Sequence, residues 1–379
     1  MKKVLSCALM ISLIILCLSP YKAYASSPPD VVANGALLVD ASSQKILYEK
    51  NKDTRFYPAS TTKIMTALLV LEHCKLDDIV TVGKKPSSFI DGDKIYIFEG
   101  EKISVNELLH ALLIASANDV AVALAEHVAG SEEAFVKLMN QKAKELGCTN
   151  THFMNPHGLH DPQHYTTAKD LYLIAREAMK YDTFREIITT VSYKMPPTNK
   201  QPLYRPLYTN NNLLTSRKYH VDGANGIKVG YTDEAGHSFV GSAYRGDTKF
   251  IVVLLNDKKP GMWEDASNLL NYGFDNFKTE KEISKGDFIQ SLKVDGTDTK
   301  IPLTAASDLY YTHPISETPN LSLKTTINGN CEKGIKKDQV MGYAEYWDKD
   351  MKVGTVTLKS NGDLSTTAFY NYVGIEKNT

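Results

Sequence analysis

Strand-like patterns occur in two regions of the chain that are separated by a long helical region. Residues 35–50 (GALLVDASSQKILYEK) predict two short strands around a polar turn, and residues 226–256 predict three more, the last with the apolar run FIVVLL. Because strands must pair to satisfy their backbone groups, this order predicts one sheet that is assembled from both ends of a domain and covered by helices. Residues far apart in the sequence would then meet around that sheet.

Several boundaries can be predicted inside this region. Val105–Ala129 is apolar on nearly all sides, so we expect buried helices with a break near Ser116. Ser131 is placed to cap a following amphipathic helix, and Thr167 opens a capping box at the start of another. The turn around Gly246 predicts that the last two strands form a hairpin.

The pattern changes at about residue 278, where short alternating runs begin to recur. The runs include FIQSLKV, IPLTAA, LSLKTTI, MGYAEYW, KVGTVTL and TTAFYNYV, which predict a small β-sandwich or barrel-like domain. A chain of 379 residues is compatible with two domains. We therefore predict a first domain over residues 26–278 and a C-terminal β-rich domain over residues 279–379.

Residues 1–25 have the pattern of a signal peptide. A basic start is followed by the apolar run Val4–Leu18 and by the small-x-small site Ala23–Ala25. The run is shorter than the roughly 20 residues of a membrane span. We expect cleavage after Ala25 and export to an extracellular or cell-wall location. No amphipathic or spanning helix is predicted after Val373, so we expect no membrane anchor.

Charge and cysteine content exclude some classes of function. A formal net charge of −1 argues against binding of nucleic acid or acidic membranes. Outside the predicted signal peptide, Cys74, Cys148 and Cys331 are an odd, widely spaced set. This set predicts isolated thiols or at most one disulfide, and it predicts no metal-binding motif. Nothing in the sequence indicates an oligomeric state.

Ser60 and Lys63 lie three residues apart at the start of an apolar helical pattern, PASTTKIMTALL, so their side chains share one helix face. A serine hydroxyl needs an adjacent base to act as a nucleophile. A lysine can be that base only where burial or nearby positive charge lowers its pKa from about 10.4. The same spacing recurs at Ser19 and Ser42, so the motif alone favours a helix cap and a solvated lysine.

Two further motifs favour catalysis. Ser116-Ala117-Asn118 interrupts the most apolar helical region, where unpaired polar groups would cost stability. A structural polar network is the alternative explanation. Lys228-Val229-Gly230 lies on a predicted strand, where a glycine often marks a close approach by a ligand or by another backbone segment.

In this order, S-x-x-K, S-x-N and K-x-G resemble the serine acyltransferases that include penicillin-binding proteins and serine β-lactamases. The blocks PASTTKIMTALLVLE, LLIASANDVAVALAEHVAGS, NTHFMNPHGLH, HYTTAKDLYLIAR and GIKVGYTDEAGHSFVGSA more closely resemble the low-molecular-mass D-alanyl-D-alanine carboxypeptidases. The resemblance implies an α+β fold, with an antiparallel sheet flanked by helices in a β-lactamase/transpeptidase-like domain and a small all-β domain after it. It implies no cofactor and no metal.

The resemblance also implies an activity and its catalytic residues. The enzyme would remove the terminal D-Ala from peptidoglycan stem peptides, and β-lactams would acylate it as inhibitors. Ser60 would be the acylated nucleophile and Lys63 its general base. Ser116 would relay protons to the leaving D-alanine and help to activate the deacylating water.

Substrate-binding roles follow from the same resemblance. Asn118 would hydrogen-bond the peptide amide group of the substrate, and Lys228 would provide positive charge for its terminal carboxylate. Gly230 completes the strand motif. Backbone N–H groups of Ser60 and Tyr231 would hold the oxyanion, and such donors are typically worth about 3 to 4 kcal/mol each.

One residue departs from the family pattern. Val229 stands where the family usually has a threonine whose hydroxyl contacts the substrate carboxylate. Losing a hydrogen bond to a charged group costs about 1.5 to 3 kcal/mol. We therefore expect weaker carboxylate binding, or compensation by Thr209, Asn210 or Asn211.

Two alternative functions remain open. A serine β-lactamase would need a dedicated deacylation base, and no convincing Glu-x-x-Leu-Asn loop occurs between Asn118 and Lys228. A penicillin-recognising sensor or wall-binding protein without turnover is compatible with Val229. The histidines of the loop region have irregular spacing and no HExxH pattern, so we expect structural or site-rim roles for them rather than metal binding. They are His152, His157, His160 and His164.

Overall fold

The computed structural model describes residues 27–89, 91–258, 261–293, 299–328 and 334–363. The predicted signal peptide, Cys331 and the run TTAFYNYV lie outside the described residues. The helices are α1 (Lys63–His73), α2 (Lys84–Ser87), α3 (Val105–Ile114), α4 (Asn118–Ala129), α5 (Glu132–Glu145), α6 (Ala168–Ala178), α7 (Asp182–Ile188), α8 (Asn212–Thr215) and α9 (Gly261–Asn276).

The strands of the described residues occur both among the helices and in the C-terminal part of the chain. They are β1 (Gly35–Asp40), β2 (Ile46–Lys50), β3 (Ile79–Thr81), β4 (Lys102–Ser104), β5 (Ser192–Met195), β6 (Arg205–Tyr208), β7 (Ala224–Thr232), β8 (Gly236–Arg245), β9 (Thr248–Asp257), β10 (Phe277–Ile283), β11 (Phe288–Lys293), β12 (Lys300–Ala305), β13 (Leu309–Pro314), β14 (Leu321–Ile327), β15 (Val340–Asp348) and β16 (Met351–Ser360).

The main sheet is antiparallel, with the strand order β2-β1-β9-β8-β7. β1 pairs with β9 from Gly35 opposite Leu255 to Asp40 opposite Phe250, so the two ends of the helical region meet in one sheet. The expected α+β fold, with an antiparallel sheet between helices, is confirmed. β7 lies at one edge of this sheet.

Both faces of the sheet are covered, which explains the apolar run in β9. Alternate residues of a strand point to opposite faces. Ile251, Val253 and Leu255 pack in the core formed with α1 and α3 to α7, whereas Phe250 and Val252 pack against α9 on the other face. A strand that is buried on both faces therefore has no polar alternation.

The predicted helix boundaries are confirmed around Ser116. α3 ends at Ile114, α4 begins at Asn118, and Ser116 between them has φ of +60°. Ser131 caps α5 by accepting a hydrogen bond from the Ala134 N–H at 3.1 Å. The sequence predicted a strand or two within residues 196–215, where β6 lies. It predicted neither the β3–β4 hairpin nor the pairing of β5 with β6, because neither has a strong local strand pattern.

The C-terminal region contains a second antiparallel sheet, β11-β12-β16-β15-β14, and a two-stranded ribbon, β10-β13. The ribbon meets the first sheet through a buried polar network. Thr279 donates to Asp40 at 2.7 Å and contacts the Thr312 hydroxyl at 2.9 Å, while Lys45 donates to the Thr312 carbonyl at 3.0 Å. Among the described residues, no helix is both long and apolar enough to cross a membrane.

Two buried carboxyl groups lie together beside the main sheet. Asp257 at the end of β9 and Asp265 in α9 are each 3% exposed. Asp265 accepts a hydrogen bond from the Ala33 N–H at 2.9 Å, and Asp257 accepts one from the Lys258 N–H at 2.6 Å. Burial raises the pKa of Asp257 to about 7, and the charge of Asp265 adds to this effect. The pair therefore keeps a proton under conditions where a solvated carboxyl has lost it.

The free energy of unfolding should decline as the pH rises from about 4 to about 7, because unfolded Asp257 releases its proton near pH 4 and the folded protein does not. Replacing Asp257 by asparagine removes the ionisation and should flatten this part of the profile by about 2 kcal/mol. Urea unfolding across the window measures the slope, with the exposed Asp247→Asn as the control. An identical slope in Asp257→Asn and the wild type would contradict the assignment.

Candidate active site

Ser60 and Lys63 meet at the start of α1. A short 3₁₀ turn, Ala59–Thr62, leads into the helix, and Lys63 is its first residue. The Lys63 Nζ lies 2.9 Å from the Ser60 Oγ. Lys63 is 0% exposed, so the alternative of a solvated lysine beside a simple helix cap does not hold.

The contacts of the Lys63 amine define how it can be protonated. Besides the Ser60 hydroxyl, Nζ contacts the Asn118 Oδ1 at 2.6 Å and the His157 carbonyl at 2.8 Å. Both of these oxygens can only accept hydrogen bonds. A neutral amine has two N–H groups and one lone pair, so donation to both oxygens leaves the lone pair for the Ser60 hydroxyl. When the amine is neutral, the site is therefore arranged for Lys63 to accept the serine proton.

The electrostatic surroundings favour the same state. Burial holds the pKa of Lys63 well below its ordinary value, and the positive charge of Lys228 lowers it further. Asp93 and Asp119 act in the opposite direction. Lys228 is itself buried, and desolvation lowers its pKa to about 8. A buried amine next to a second cation is the arrangement that lets a lysine act as a base near neutral pH.

Ser116 and Asn118 reach the site from the break between α3 and α4. The Ser116 Oγ is buried and has no hydrogen-bond partner in the described part of the chain, although the residue lines the cleft. An unpaired buried hydroxyl costs about 1 to 3 kcal/mol, and the φ of +60° adds backbone strain. Ser116 thus lacks the hydrogen bonds that a structural polar network requires, whereas Asn118 makes such bonds.

Asn118 is held on two sides. Its Nδ2 donates to the Asp91 carbonyl at 3.0 Å, its backbone N–H donates to the Asp93 carbonyl at 2.7 Å, and its Oδ1 faces Lys63. A Cβ on Gly92 would lie 2.4 Å from this Nδ2, so the loop depends on glycine there. The fixed amide orients Lys63, and the second N–H of Nδ2 can donate into the cleft that Asn118 lines.

Gly230 lets the edge strand β7 pass close to Ser60. A Cβ on Gly230 would lie 2.8 Å from the Ser60 backbone nitrogen, which is closer than such contacts occur. This is the close approach that the sequence predicted for a glycine in a strand. Lys228 on the same strand donates to the Val229 carbonyl at 3.0 Å, and Tyr231 is 55% exposed at the cleft rim.

The loop around His157, for which the sequence predicted a structural or site-rim role, reaches the Lys63 amine. Gly158 has φ of +90°, and a Cβ there would lie 1.9 Å from the Ala59 carbonyl oxygen. The loop therefore packs closely against the Ala59–Thr62 turn and places the His157 carbonyl beside Lys63. Burial lowers the pKa of His157 to about 3, so its ring stays neutral. His164, also with its pKa lowered to about 3 by burial, contacts the Thr62 hydroxyl at 2.9 Å.

These segments border a cleft of about 750 Å³. Of the three donors proposed to compensate for Val229, Asn210 lines the cleft, whereas Asn211 is buried and caps α8 by accepting from the Leu213 N–H at 3.0 Å. Thr209 accepts from the Asn211 N–H at 3.3 Å. Several other residues that line the cleft were not predicted as site residues, since only the fold brings them here. They are Gly92, Asp93, Leu159, Asn212, Thr232, His237, Met262 and Trp263.

An antiparallel sheet between helical layers, with a serine–lysine pair at the head of a buried helix and a lysine on the adjacent edge strand, is the arrangement of the serine acyltransferases that include D,D-peptidases and serine β-lactamases. A family model described as D-alanyl-D-alanine carboxypeptidase matches residues 22–259. A model described as penicillin-binding protein 5, C-terminal domain, matches residues 277–366. The chain belongs to the D-alanyl-D-alanine carboxypeptidase family of serine peptidases.

Individual relatives extend over most of the chain. D-alanyl-D-alanine carboxypeptidase DacF from Bacillus subtilis (strain 168) is 34% identical over 340 residues, which cover 88% of this chain and 82% of the relative. DacD from Escherichia coli (strain K12) is 30% identical over 359 residues, with 90% of each chain covered. A crystal structure of penicillin-binding protein 5 from Haemophilus influenzae is similar with a TM-score of 0.78 and 29% identity, and the match covers 90% of this chain and 99% of that chain.

The Lys228 charge should control the protonation of Lys63. Replacing Lys228 by glutamine removes a neighbouring positive charge, so the pKa of Lys63 should rise, and the acidic limb of the pH–rate profile for acylation should move upward by about one pH unit. Acylation by a fluorescent penicillin, followed at several pH values, measures the limb. The exposed Lys169→Gln is the matched control. A slower reaction with an unmoved limb would mean that Lys228 does not act through Lys63.

Proposed function

We propose that this protein is an exported D-alanyl-D-alanine carboxypeptidase that removes the terminal D-Ala from peptidoglycan stem peptides through a Ser60 acyl-enzyme. The observation that carries the proposal is the set of contacts around the buried Lys63 amine, which lies 2.9 Å from the Ser60 hydroxyl, 2.6 Å from the Asn118 Oδ1 and 2.8 Å from the His157 carbonyl. When the amine is neutral, donation to the last two oxygens leaves its lone pair for the serine proton. Residues 26–278 would form the catalytic domain and residues 279–379 a β-rich domain that positions it in the cell wall.

Acylation then proceeds from the geometry of the site. Lys63 takes the proton of Ser60 as Oγ attacks the carbonyl carbon of the penultimate D-Ala. The developing oxyanion is held by the backbone N–H groups of Ser60 and Tyr231, which belong to the two segments that Gly230 allows to approach. The Ser116 hydroxyl gives its proton to the leaving amine and takes back the proton that Lys63 removed from Ser60, so the C–N bond breaks, D-alanine departs, Lys63 is neutral again and the ester remains on Ser60.

Deacylation uses the same groups in reverse order. A water molecule enters where D-alanine has left, and Ser116 with Lys63 accepts its proton as it attacks the ester carbonyl. The proton returns to the Ser60 oxygen as the ester breaks. No step requires a cofactor.

Substrate binding is supported by the position of β7. An edge strand has free backbone groups that an extended peptide can pair with, and β7 is an edge of the main sheet. Asn118 would bind the peptide amide group, and the Lys228 charge would attract the terminal carboxylate. β-Lactams would enter the same cleft and acylate Ser60.

A non-turnover penicillin sensor is the second candidate, because Val229 lacks the hydroxyl expected at its position. A serine β-lactamase is the third. Release of D-alanine from diacetyl-Lys-D-Ala-D-Ala supports the carboxypeptidase, stable acylation without release supports the sensor, and nitrocefin hydrolysis supports the lactamase.

Ser60→Ala should abolish acylation by a fluorescent penicillin and reduce D-alanine release by a factor of about 1,000 or more, since loss of the nucleophile leaves only residual catalysis. Ser42→Ala is the matched control, because Ser42 has a lysine three residues later but lies at a β-hairpin turn. It should retain both activities. Retained penicillin labelling in Ser60→Ala would show that the nucleophile lies elsewhere.

The carboxylate side of the cleft has an apolar wall. Val229 packs against a cluster that contains Met262 and Trp263, and all three line the cleft. A carboxylate placed beside this wall loses hydration without gaining a hydrogen bond from it. The proposed enzyme should therefore bind its substrate carboxylate less strongly than one with a hydroxyl at this position.

Val229→Thr should raise the second-order rate constant for acylation by penicillin about tenfold, because a hydrogen bond to a charged group is worth about 1.5 kcal/mol or more. Threonine has nearly the same shape as valine, so the cleft keeps its form. The exposed Val191→Thr controls for a general effect of the substitution. A rate constant that does not improve at all would contradict the carboxylate assignment.

A further inference from the structure

The two helices that carry the catalytic motifs also meet at their far ends. α1 begins with Lys63 and α4 begins with Asn118, and these side chains are in contact. The helices have 11 and 12 residues. At about 1.5 Å per residue their lengths are nearly equal, and side chains at the two C-terminal ends lie close together, roughly 17 Å from the catalytic lysine.

A group of potential metal ligands lies at this second meeting point. Cys74 follows the last residue of α1, His127 is in the last turn of α4, and Asp78 lies on the loop after α1. One ligand atom from each residue lies within 4.8 Å of the others. Ligands on a tetrahedral zinc ion are about 3.3 to 3.8 Å apart, given bond lengths of 2.0 to 2.3 Å, so small side-chain rotations would close the site.

The backbone around these ligands is well supported. The Lys75 N–H donates to the Asp78 Oδ2 at 2.8 Å, which still leaves the other carboxylate oxygen for a cation. The Asp78 carbonyl accepts from the Val105 N–H at 2.9 Å, and this ties the loop to the start of α3. Cys74 packs against the apolar core, while His127 is exposed and can rotate.

We propose that Cys74, Asp78 and His127 bind a divalent transition-metal ion, with zinc as the best match, at the ends of α1 and α4 that lie away from the cleft. A thiolate, an imidazole and a carboxylate are zinc ligands, whereas calcium and magnesium prefer oxygen ligands alone. The fourth position would hold water. None of the three residues lines the catalytic cleft, so the ion would act as a clip between the two helices.

The sequence gives no motif for such a site, because its ligands come from the end of one helix, a loop and the end of another helix. Binding to the folded protein alone would stabilise it in proportion to the logarithm of zinc concentration. Because the clip is remote from Ser60, zinc should raise the thermal unfolding midpoint without changing acylation by penicillin. This proposal is independent of the proposed activity.

The test uses the reduced, metal-free full chain titrated with Zn²⁺ by calorimetry and with Co²⁺ by absorption. One equivalent of zinc should bind, and cobalt should give a thiolate-to-cobalt charge-transfer band. Cys74→Ser and His127→Ala should each weaken binding by about 100-fold or more and remove the rise in unfolding midpoint, since even residues that only support ligands contribute 10- to 100-fold. Mg²⁺ and Ca²⁺ should have no effect.

Two control variants test whether zinc binding depends on this cluster rather than on other thiols and histidines. Cys148→Ser changes the buried free thiol, and His220→Ala changes an exposed histidine outside the cluster. Both should bind zinc as the wild type does. Absence of zinc binding, equal binding in Cys74→Ser and the wild type, or zinc that blocks acylation without raising the unfolding midpoint would each overturn the proposal.

Discussion

The three oxygen contacts of the Lys63 amine are the interaction on which the rest of the site depends. Nζ lies within hydrogen-bond distance of the Ser60 hydroxyl, the Asn118 Oδ1 and the His157 carbonyl. Each contact comes from a different part of the chain, so no single helix could create this arrangement. The core around α1 buries the amine, and the same burial that stabilises the fold holds the pKa of Lys63 well below its ordinary value.

Close approaches between backbone segments bring together the parts of the chain that contact Ser60 and Lys63. Gly230 brings β7 to the Ser60 N–H, and Gly158 brings the His157 loop to the Ala59 carbonyl. At either glycine, a side chain would overlap backbone atoms rather than a movable side chain. The rigid backbone thus fixes the distance between the donors that would hold an oxyanion, which is the property that electrostatic catalysis requires.

Much of the fold and of the candidate site could be predicted from the sequence. The features that could not be predicted have a physical reason in common. The apolar run in β9 and the polar break at Ser116 are local patterns, so a sheet that joins both ends of the domain and the helix break were correctly expected. The His157 carbonyl could not be predicted, because any residue supplies a backbone oxygen. The Cys74 cluster and the β10–β13 ribbon likewise depend on contacts between distant segments, which a local pattern does not record.

The pKa of Lys63 depends on groups that reach their positions only when the main sheet is complete. Lys228, whose charge helps to lower that pKa, lies on β7, and β7 is joined to β1 only through β8 and β9. Before this late part of the chain has paired, α1 lacks both the second cation and the strand that covers Ser60. The amine would then keep its proton and the serine would stay unreactive. Ser60, as the proposed nucleophile, would become active only in the folded protein, because Lys228, which would help to activate it, is also a structural part of the sheet.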